Sequence, residues 1–444
     1  MPHNDILAKL KDAVAHVSNN IQEYVVNPGS DFTRGGKLPP DILMALLIGQ
    51  GSKSSRNELI EAFNFKEDHP TESALIQKRA KLQPSAFSEV FYRFNNALEP
   101  LNDDSKYRFF GADGSTFTFL SDSRFSDDDY FTTQGNSAAG CYSVHLTAFL
   151  DLDADRYSDA VIQPITQKDE YGAFSTIVDR HPLPASAHAV FIADRGFCSF
   201  NNMAHVIKRA QYFIFRSKDI HSKGILSNID LPQEDEFDIS LNFVIVRRQL
   251  KNRKLPDGYV RFVGKNVAFD FVDYGSDDYF VIPVRIVRFR LSSGEYESLI
   301  TNLPADEFPP QRLKEIYFRR WGIETSFRTL KYTVGTSKFH ARKASYILQE
   351  IWARLISYNF TSAVISCVKI PTKQTKHPYK ISIAAAVLIC RKLIFTVIVP
   401  ADSSRLNVIQ LLARELIPIR NGRSFPRLST AHFRRPAYFT YRPS

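Results

Sequence analysis

The chain has 444 residues, 44% of them hydrophobic and 23% charged, with a formal net charge of +10 and a pI near 9.2. This composition excludes a disordered or fibrous chain, leaves room for two or three domains, and points toward a polyanionic partner. Four scattered cysteines (Cys141, Cys198, Cys367, Cys390) with no CxxC pair argue against a zinc site or a disulfide framework and fit a reducing compartment.

The N-terminal stretch MPHNDILAKLKDAVAH carries charges throughout and lacks the apolar core of a signal peptide. Residues 1–104 read as helical. LPPDILMALLIG starts with prolines and spaces its apolar residues as a helix does, and SSRNELIEAF places serines ahead of its apolar run. ESALIQKRAKLQPSAFSEVFYRFNNAL divides into two helices at Gln83-Pro84, because proline disfavours helix in the residue before it. That pair carries Lys78, Arg79 and Lys81, and serves either as a DNA-reading unit or as plain scaffold.

From about residue 106 the period changes. KYRFFGADGSTFTFL and CYSVHLTAFLDLD predict strands, VIQPIT a third, and DEYGAFSTIVDRH a helix. AHAVFIADRGF has the continuous apolar run of a strand buried on both faces; FNNMAHVIKRA reads as a helix and QYFIFRS as another strand. Three strands, a helix and a buried strand describe a mixed α/β domain. Residues 219–300 then predict a β-rich insertion, with ISLNFVIVRRQL, YVRFVGK, VAFDFVDY, YFVIPVRIVRFRL and YESLITNL as successive strands.

After the insertion, PPQRLKEIYFRRWGIETSFRTLKYTV predicts one long helix. At about 100° per residue, Leu313, Tyr317, Arg320, Glu324, Phe327 and Lys331 share one line, with Ile316, Ile323 and Leu330 on a second line beside it. Alone, this stripe fits an exposed i,i+4 ion pair between Arg320 and Glu324. A second helix, ASYILQEIWARLISYNFTSAVI, follows. The apolar region ISIAAAVLICRKLIFTVIVPA is interrupted by Arg391 and Lys392, which favours two buried elements over a membrane span. A cytoplasmic protein is expected. Between Lys369 and Ser444 there are 14 Lys or Arg against two acids, a balance of 14 − 2 = +12, so the C-terminal segment carries more than the whole surplus.

Two further carboxylates stand in unusual places. Asp113 lies inside the apolar strand GADGSTFTF, where a lone charge is costly unless it is paired or binds a cation. Asp194 closes the buried strand VFIADRGF, the end at which α/β sheets place ligands. Each alone fits a turn or a backbone cap; with Glu324 they would supply the all-oxygen donor set that Mg²⁺ or Mn²⁺ prefers. The acidic runs at Asp127–Asp129 and at Asp151, Asp153 and Asp155 lack the glycine and terminal Glu spacing of an EF-hand and read as solvated turns; His145 and His181 read as structural.

Tyr317, Arg320, Glu324 and Lys331 fit Y-x2-R-x3-E-x6-K without a gap, and the contexts ADGSTFTF and ADRGF accompany them. With TNLP, KFHAR, FTRGGKLPPDILMALLIGQ and ALIQKRAKLQPSAF, the sequence over roughly residues 30–365 resembles the DDE transposases of bacterial insertion sequences, in the subclass with that third motif. The resemblance implies an RNase H-like mixed-sheet α/β catalytic core over 105–218 and 301–365. It also implies an inserted β-rich subdomain over 219–300, a helical N-terminal DNA-binding domain over 1–104, and a mostly helical, basic C-terminal region over 366–444 for dimerisation or DNA contact. The gaps between the acids, 194 − 113 = 81 and 324 − 194 = 130 residues, leave room for that insertion.

The same resemblance implies cut-and-paste transposition. Asp113, Asp194 and Glu324 would be the catalytic residues and the ligands of two Mg²⁺ ions, with Mn²⁺ as a substitute, and Tyr317, Arg320 and Lys331 would grip DNA. The partners would be the element's terminal repeats and target DNA, with a dimer in the DNA complex. Some members form a hairpin at the DNA end and hold a flipped base with an aromatic of the insertion, but Trp321 and Trp352, the only tryptophans, lie outside it. A nuclease without strand transfer and a transposase-derived DNA-binding protein that no longer catalyses are the alternatives.

Overall fold

The computed structural model describes residues 3–98, 105–120, 127–133, 140–182, 187–249, 254–335, 339–370, 377–399 and 407–419. Its N-terminal part is helical: α1 (His3–Asn19), α2 (Pro40–Gly49), α3 (Ser55–Ala62), α4 (Glu72–Arg79) and α5 (Ser85–Ala97). Ser54 and Thr71 cap α3 and α4 by accepting from the Asn57 and Ala74 amides, satisfying donors that a helix start leaves open. The strands begin with β1 (Tyr107–Phe119), β2 (Phe131–Thr133), β3 (Gly140–Asp151) and β4 (Arg156–Pro164). Then come α6 (Glu170–Arg180), β5 (His188–Ala193), α7 (Phe200–Lys208) and β6 (Tyr212–Arg216).

β3 pairs antiparallel with both β1 and β4, and β1, β5 and β6 run parallel. The order β4-β3-β1-β5-β6, with helices on both faces, is an RNase H-like core. The β-rich segment adds β7 (Phe237–Val246), β8 (Tyr259–Phe262), β9 (Tyr279–Arg290) and β10 (Tyr296–Thr301). These strands continue the core sheet, because β10 pairs antiparallel with β6 and the order runs on as β10-β9-β7-β8.

VAFDFVDY, expected as a strand, is a loop. It still buries Phe269 and Val272, but Val267 is exposed and the loop's backbone is satisfied by side chains. Arg247 donates to the carbonyls of Phe269, Val272 and Val267, and Asn201 Oδ1 accepts from the Asp270 amide at 3.0 Å.

Beyond the sheet come α8 (Pro310–Arg319), α9 (Trp321–Arg328), a π-helical stretch (Thr329–Val334), α10 (Ala344–Ser366), β11 (Tyr379–Ile381), α11 (Ile383–Phe395), α12 (Val408–Arg414) and β12 (Leu416–Pro418). α10 is buried along nearly its whole length and packs against α1, α2, α5 and α11, so the N-terminal helices and the C-terminal helices share one core. The region expected to form two buried elements is one helix, α11, followed by a turn. Its Arg391 is accommodated by Glu58 Oε2 at 2.5 Å and the Gly49 carbonyl at 2.7 Å.

Arg79 is likewise buried and fastened to α10: it pairs with Glu350 at 3.0 Å and donates to Gln349 Oε1 and the Tyr346 carbonyl. This takes Arg79 out of any DNA-reading role and makes it scaffold. Lys81 is paired with Asp31 at 3.1 Å, while Lys78 lies over the Phe32 ring. Among the described residues no helix is long and apolar enough to cross a membrane, and the four cysteines are free thiols. The Arg-rich run of residues 421–444 lies outside the described residues.

Candidate active site

The sheet register brings the two aspartates together. Ala112 on β1 is the Cα partner of Ala193 on β5, and both alanines sit in the core beneath α6 and α7. Side chains alternate along a strand, so the next residues, Asp113 and Asp194, both project to the opposite face. They lie on adjacent parallel strands at the same level, where α9 covers the sheet.

Two glycines let that helix approach closely. A Cβ on Gly111 would lie 3.2 Å from Leu152 Cδ2 and 3.5 Å from Ile323 Cγ2, and one on Gly322 would lie 3.3 Å from the same Leu152 atom. Glu324 stands in the first turn of α9, one residue after buried Ile323. The predicted long helix is broken here. The Arg320 amide donates to the Tyr317 carbonyl and the Ile323 amide to the Arg320 carbonyl, each at 3.0 Å, a tight i→i+3 turn between α8 and α9. The π-helical stretch then carries Lys331 back to β1, where its Nζ donates to the Thr116 carbonyl at 3.1 Å and lies 4.9 Å from the centre of the Phe117 ring.

The predicted residues fall in two layers. Asp113, Asp194, Glu324 and Lys331 are part-exposed, whereas Tyr317 and Arg320 are 2% and 3% exposed beneath them. Burial pushes the Asp113 carboxyl up to about 6; the nearby Glu324 and Asp194 charges add to this, and the Gly114 amide and Arg320 oppose it. Burial lowers Lys331, with Asp113 pulling it partly back. Tyr317 is pushed up to about 12, chiefly by burial. Arg320 donates from an NH2 nitrogen to Glu324 Oε1 at 2.9 Å, so the i,i+4 pair exists, but over a buried guanidinium rather than on an exposed face.

In its donor chemistry this site fits a hard divalent cation: three carboxylates, mutually repelling and one of them strongly raised, with oxygen donors only. The ligand set is not closed. Among the described residues no three His, Cys, Asp or Glu side chains are near enough together to hold a metal ion, and Glu324 is engaged by Arg320.

The other candidates resolve as follows. His145 Nδ1 lies 3.0 Å from Thr116 Oγ1 and Nε2 3.0 Å from Glu170 Oε1, while buried His181 packs edge-on to Phe110 and is lowered to about 4 by burial; both are structural. Asp151, expected in a solvated turn, is buried. It accepts from the Asp153 and Ala154 amides and pairs with Arg108 at 2.5 Å, closing the turn between β3 and β4. Asp127 caps an exposed 3-10 turn. Sequence reasoning missed Glu297, buried on β10 with Oε2 3.2 Å from Arg216 Nε. Its signal was the one that exposed Asp113, an acid inside an apolar strand.

The RNase H-like sheet thus carries an acid at each of two adjacent parallel strands and a third on a following helix. Residues 105–360, more than half the chain, match the Transposase DDE domain family, and the chain belongs to that family. No curated protein matches it. Among solved structures, the chain is similar to a piggyBac transposase in a cryo-EM synaptic complex with hairpin DNA, at 10% identity over 95% of this chain and 87% of that one, with a TM-score of 0.47.

Proposed function

We propose that the chain is a DNA transposase of the insertion-sequence kind with the Y-x2-R-x3-E-x6-K motif, which cleaves the ends of its element and joins them to target DNA. The observation that carries this reading is the meeting of Asp113 and Asp194, by strand register, under the helix that bears Glu324. Asp113, Asp194 and Glu324 would hold the cations, two Mg²⁺ or Mn²⁺. Ions held there would supply Lewis acidity, polarising a phosphoryl oxygen and stabilising the charge that develops on the attacking and leaving oxygens.

The chain's own groups supply the rest. Lys331, anchored on β1 beside Asp113, presents a point charge to a DNA phosphate. Arg320, whose planar fork suits a carboxylate or a phosphate, fixes Glu324 and with Tyr317 forms the floor on which that phosphate would rest. The +10 net charge favours a nucleic-acid backbone. In this reading residues 1–104 contribute DNA contacts, 219–300 widen the platform beside the site, and the basic 366–444 pairs two copies across the DNA ends or grips backbone.

The test is cleavage of labelled DNA carrying the flanking terminal repeats, with Mg²⁺ or Mn²⁺, by wild type and by Glu324→Ala. Cleavage at the repeat ends by wild type alone supports the assignment. Equal cleavage by both sinks it. Nicking without joined products identifies a nuclease, and binding without cleavage by either identifies a DNA-binding protein that has lost its chemistry.

A further inference from the structure

Three buried polar atoms beside the carboxylates lack hydrogen-bond partners among the described residues: Glu297 Oε1, Tyr317 OH and Arg320 Nε. Their side chains belong to residues 6%, 2% and 3% exposed. Glu297 lies two residues before Leu299, on the same face of β10, and Leu299 pairs with Arg216 of β6 and packs in the core that contains Tyr317. Glu297 is thus a fourth acid on the face that bears Asp113 and Asp194. It is near enough for its charge to act on Tyr317, and for those of Asp194 and Arg320 to act on it. One of its oxygens is held by Arg216; the other has no hydrogen-bond partner among the described residues.

Unpartnered buried atoms are costly, and each in a native structure asks for a reason. Here a reason lies in the other unusual feature of the site, the engagement of Glu324 by Arg320. If Glu324 turns toward the aspartates to hold a cation, a buried guanidinium loses its carboxylate. A second carboxylate with a free oxygen already waits on the same face.

We propose that Glu297 is a positioning residue of the active site, the acceptor that takes up the Arg320 guanidinium when Glu324 turns toward Asp113 and Asp194. This rests on the cation-holding role given to those three acids. Arg320 then alternates between two carboxylates, and Glu297 acts on cation binding without touching the cation.

The experiment is Mn²⁺ binding to the full-length protein without DNA, followed by the electron paramagnetic resonance of free Mn²⁺, with melting temperatures measured alongside. Wild type is compared with Glu297→Gln, Arg216→Gln and Glu324→Gln. Glu297→Gln is expected to weaken Mn²⁺ binding by about tenfold or more, the usual effect of losing an outer-shell partner. Arg216→Gln, which frees both oxygens of Glu297, is expected to bind Mn²⁺ as tightly as wild type or more tightly. Unchanged binding by Glu297→Gln overturns the inference, as does equal weakening by Glu297→Gln and Arg216→Gln, which would make the acid merely Arg216's ion-pair partner. Should Glu297→Gln not fold, Glu297→Asp, which keeps the charge but shortens its reach, takes its place: weakened binding supports the inference and unchanged binding overturns it. Failure of wild type to bind Mn²⁺, or binding by Glu324→Gln equal to wild type, removes the cation site itself and this inference with it.

Discussion

Asp113→Asn should make the metal-free protein more stable and leave it inactive. The Asp113 carboxyl moves from an ordinary 3.8 to about 6 in the fold, mainly through burial. At about 1.4 kcal/mol per pH unit, ionising it in the folded chain costs about 3 kcal/mol more than in the unfolded one. A carboxyl raised in this way contributes its stability in full below 3.8 and loses it as the pH rises through about 6. Asparagine removes the charge and can still accept the Gly114 amide, which donates to Asp113 Oδ1 at 2.8 Å. Urea unfolding of chelator-treated protein should therefore show the variant more stable at pH 8 by up to about 3 kcal/mol, with the gap closing by pH 4. A variant no more stable than wild type at pH 8 would refute the claim that Asp113 is held charged against its surroundings.

Other sites give equally direct tests. Glu350→Gln strips the buried Arg79 of its charge partner, and Glu350 also accepts from the His340 and Ala341 amides, so a loss of about 3 kcal/mol is expected in urea unfolding. Burial alone would raise Glu350, but Arg79, His340 and Arg354 hold it below the usual range, so its contribution is present at neutral pH and should fade only as the pH falls below the ordinary Glu value. Gly114→Ala places a Cβ 2.2 Å from Glu170 Oε1 and 2.6 Å from His145 Nε2; with His145 fixed against Thr116, a destabilisation of about 1–3 kcal/mol should appear as a lower melting temperature. Cys390 is fully buried and its thiol is pushed up to about 12, so iodoacetamide at pH 8 should modify it only after unfolding, as read by mass spectrometry.

The two aspartates stood out as candidates for a physical reason, since a charge inside or ending an apolar strand needs a partner, and the change of period around residue 106 separated helical from sheet-forming sequence. Spacing alone read Glu324 as half of an exposed ion pair, and only the resemblance to a family motif made it a candidate; the straight stripe fails because a tight turn at Arg320 and the π-helical stretch break the 100° rule on either side of it. VAFDFVDY deceived by its apolar and aromatic content, which does not report what satisfies the backbone; Arg247 and Asn201 do so from elsewhere in the chain. Arg391 and Arg79 were ambiguous for the same reason: the acids that accept them, Glu58 and Glu350, lie hundreds of residues away in sequence.

The pairing of Ala112 with Ala193 has a consequence for quality control. A slip of one residue between β1 and β5 would exchange the faces of a whole strand and drive an aspartate into the apolar layer under α6 and α7. Under the role proposed for the acids, misassembled copies would be disarmed by the error that produces them: the mistake that separates the acids also destabilises the sheet that carries them. For a protein proposed to cut DNA, this ties competence to correct folding without any separate safeguard.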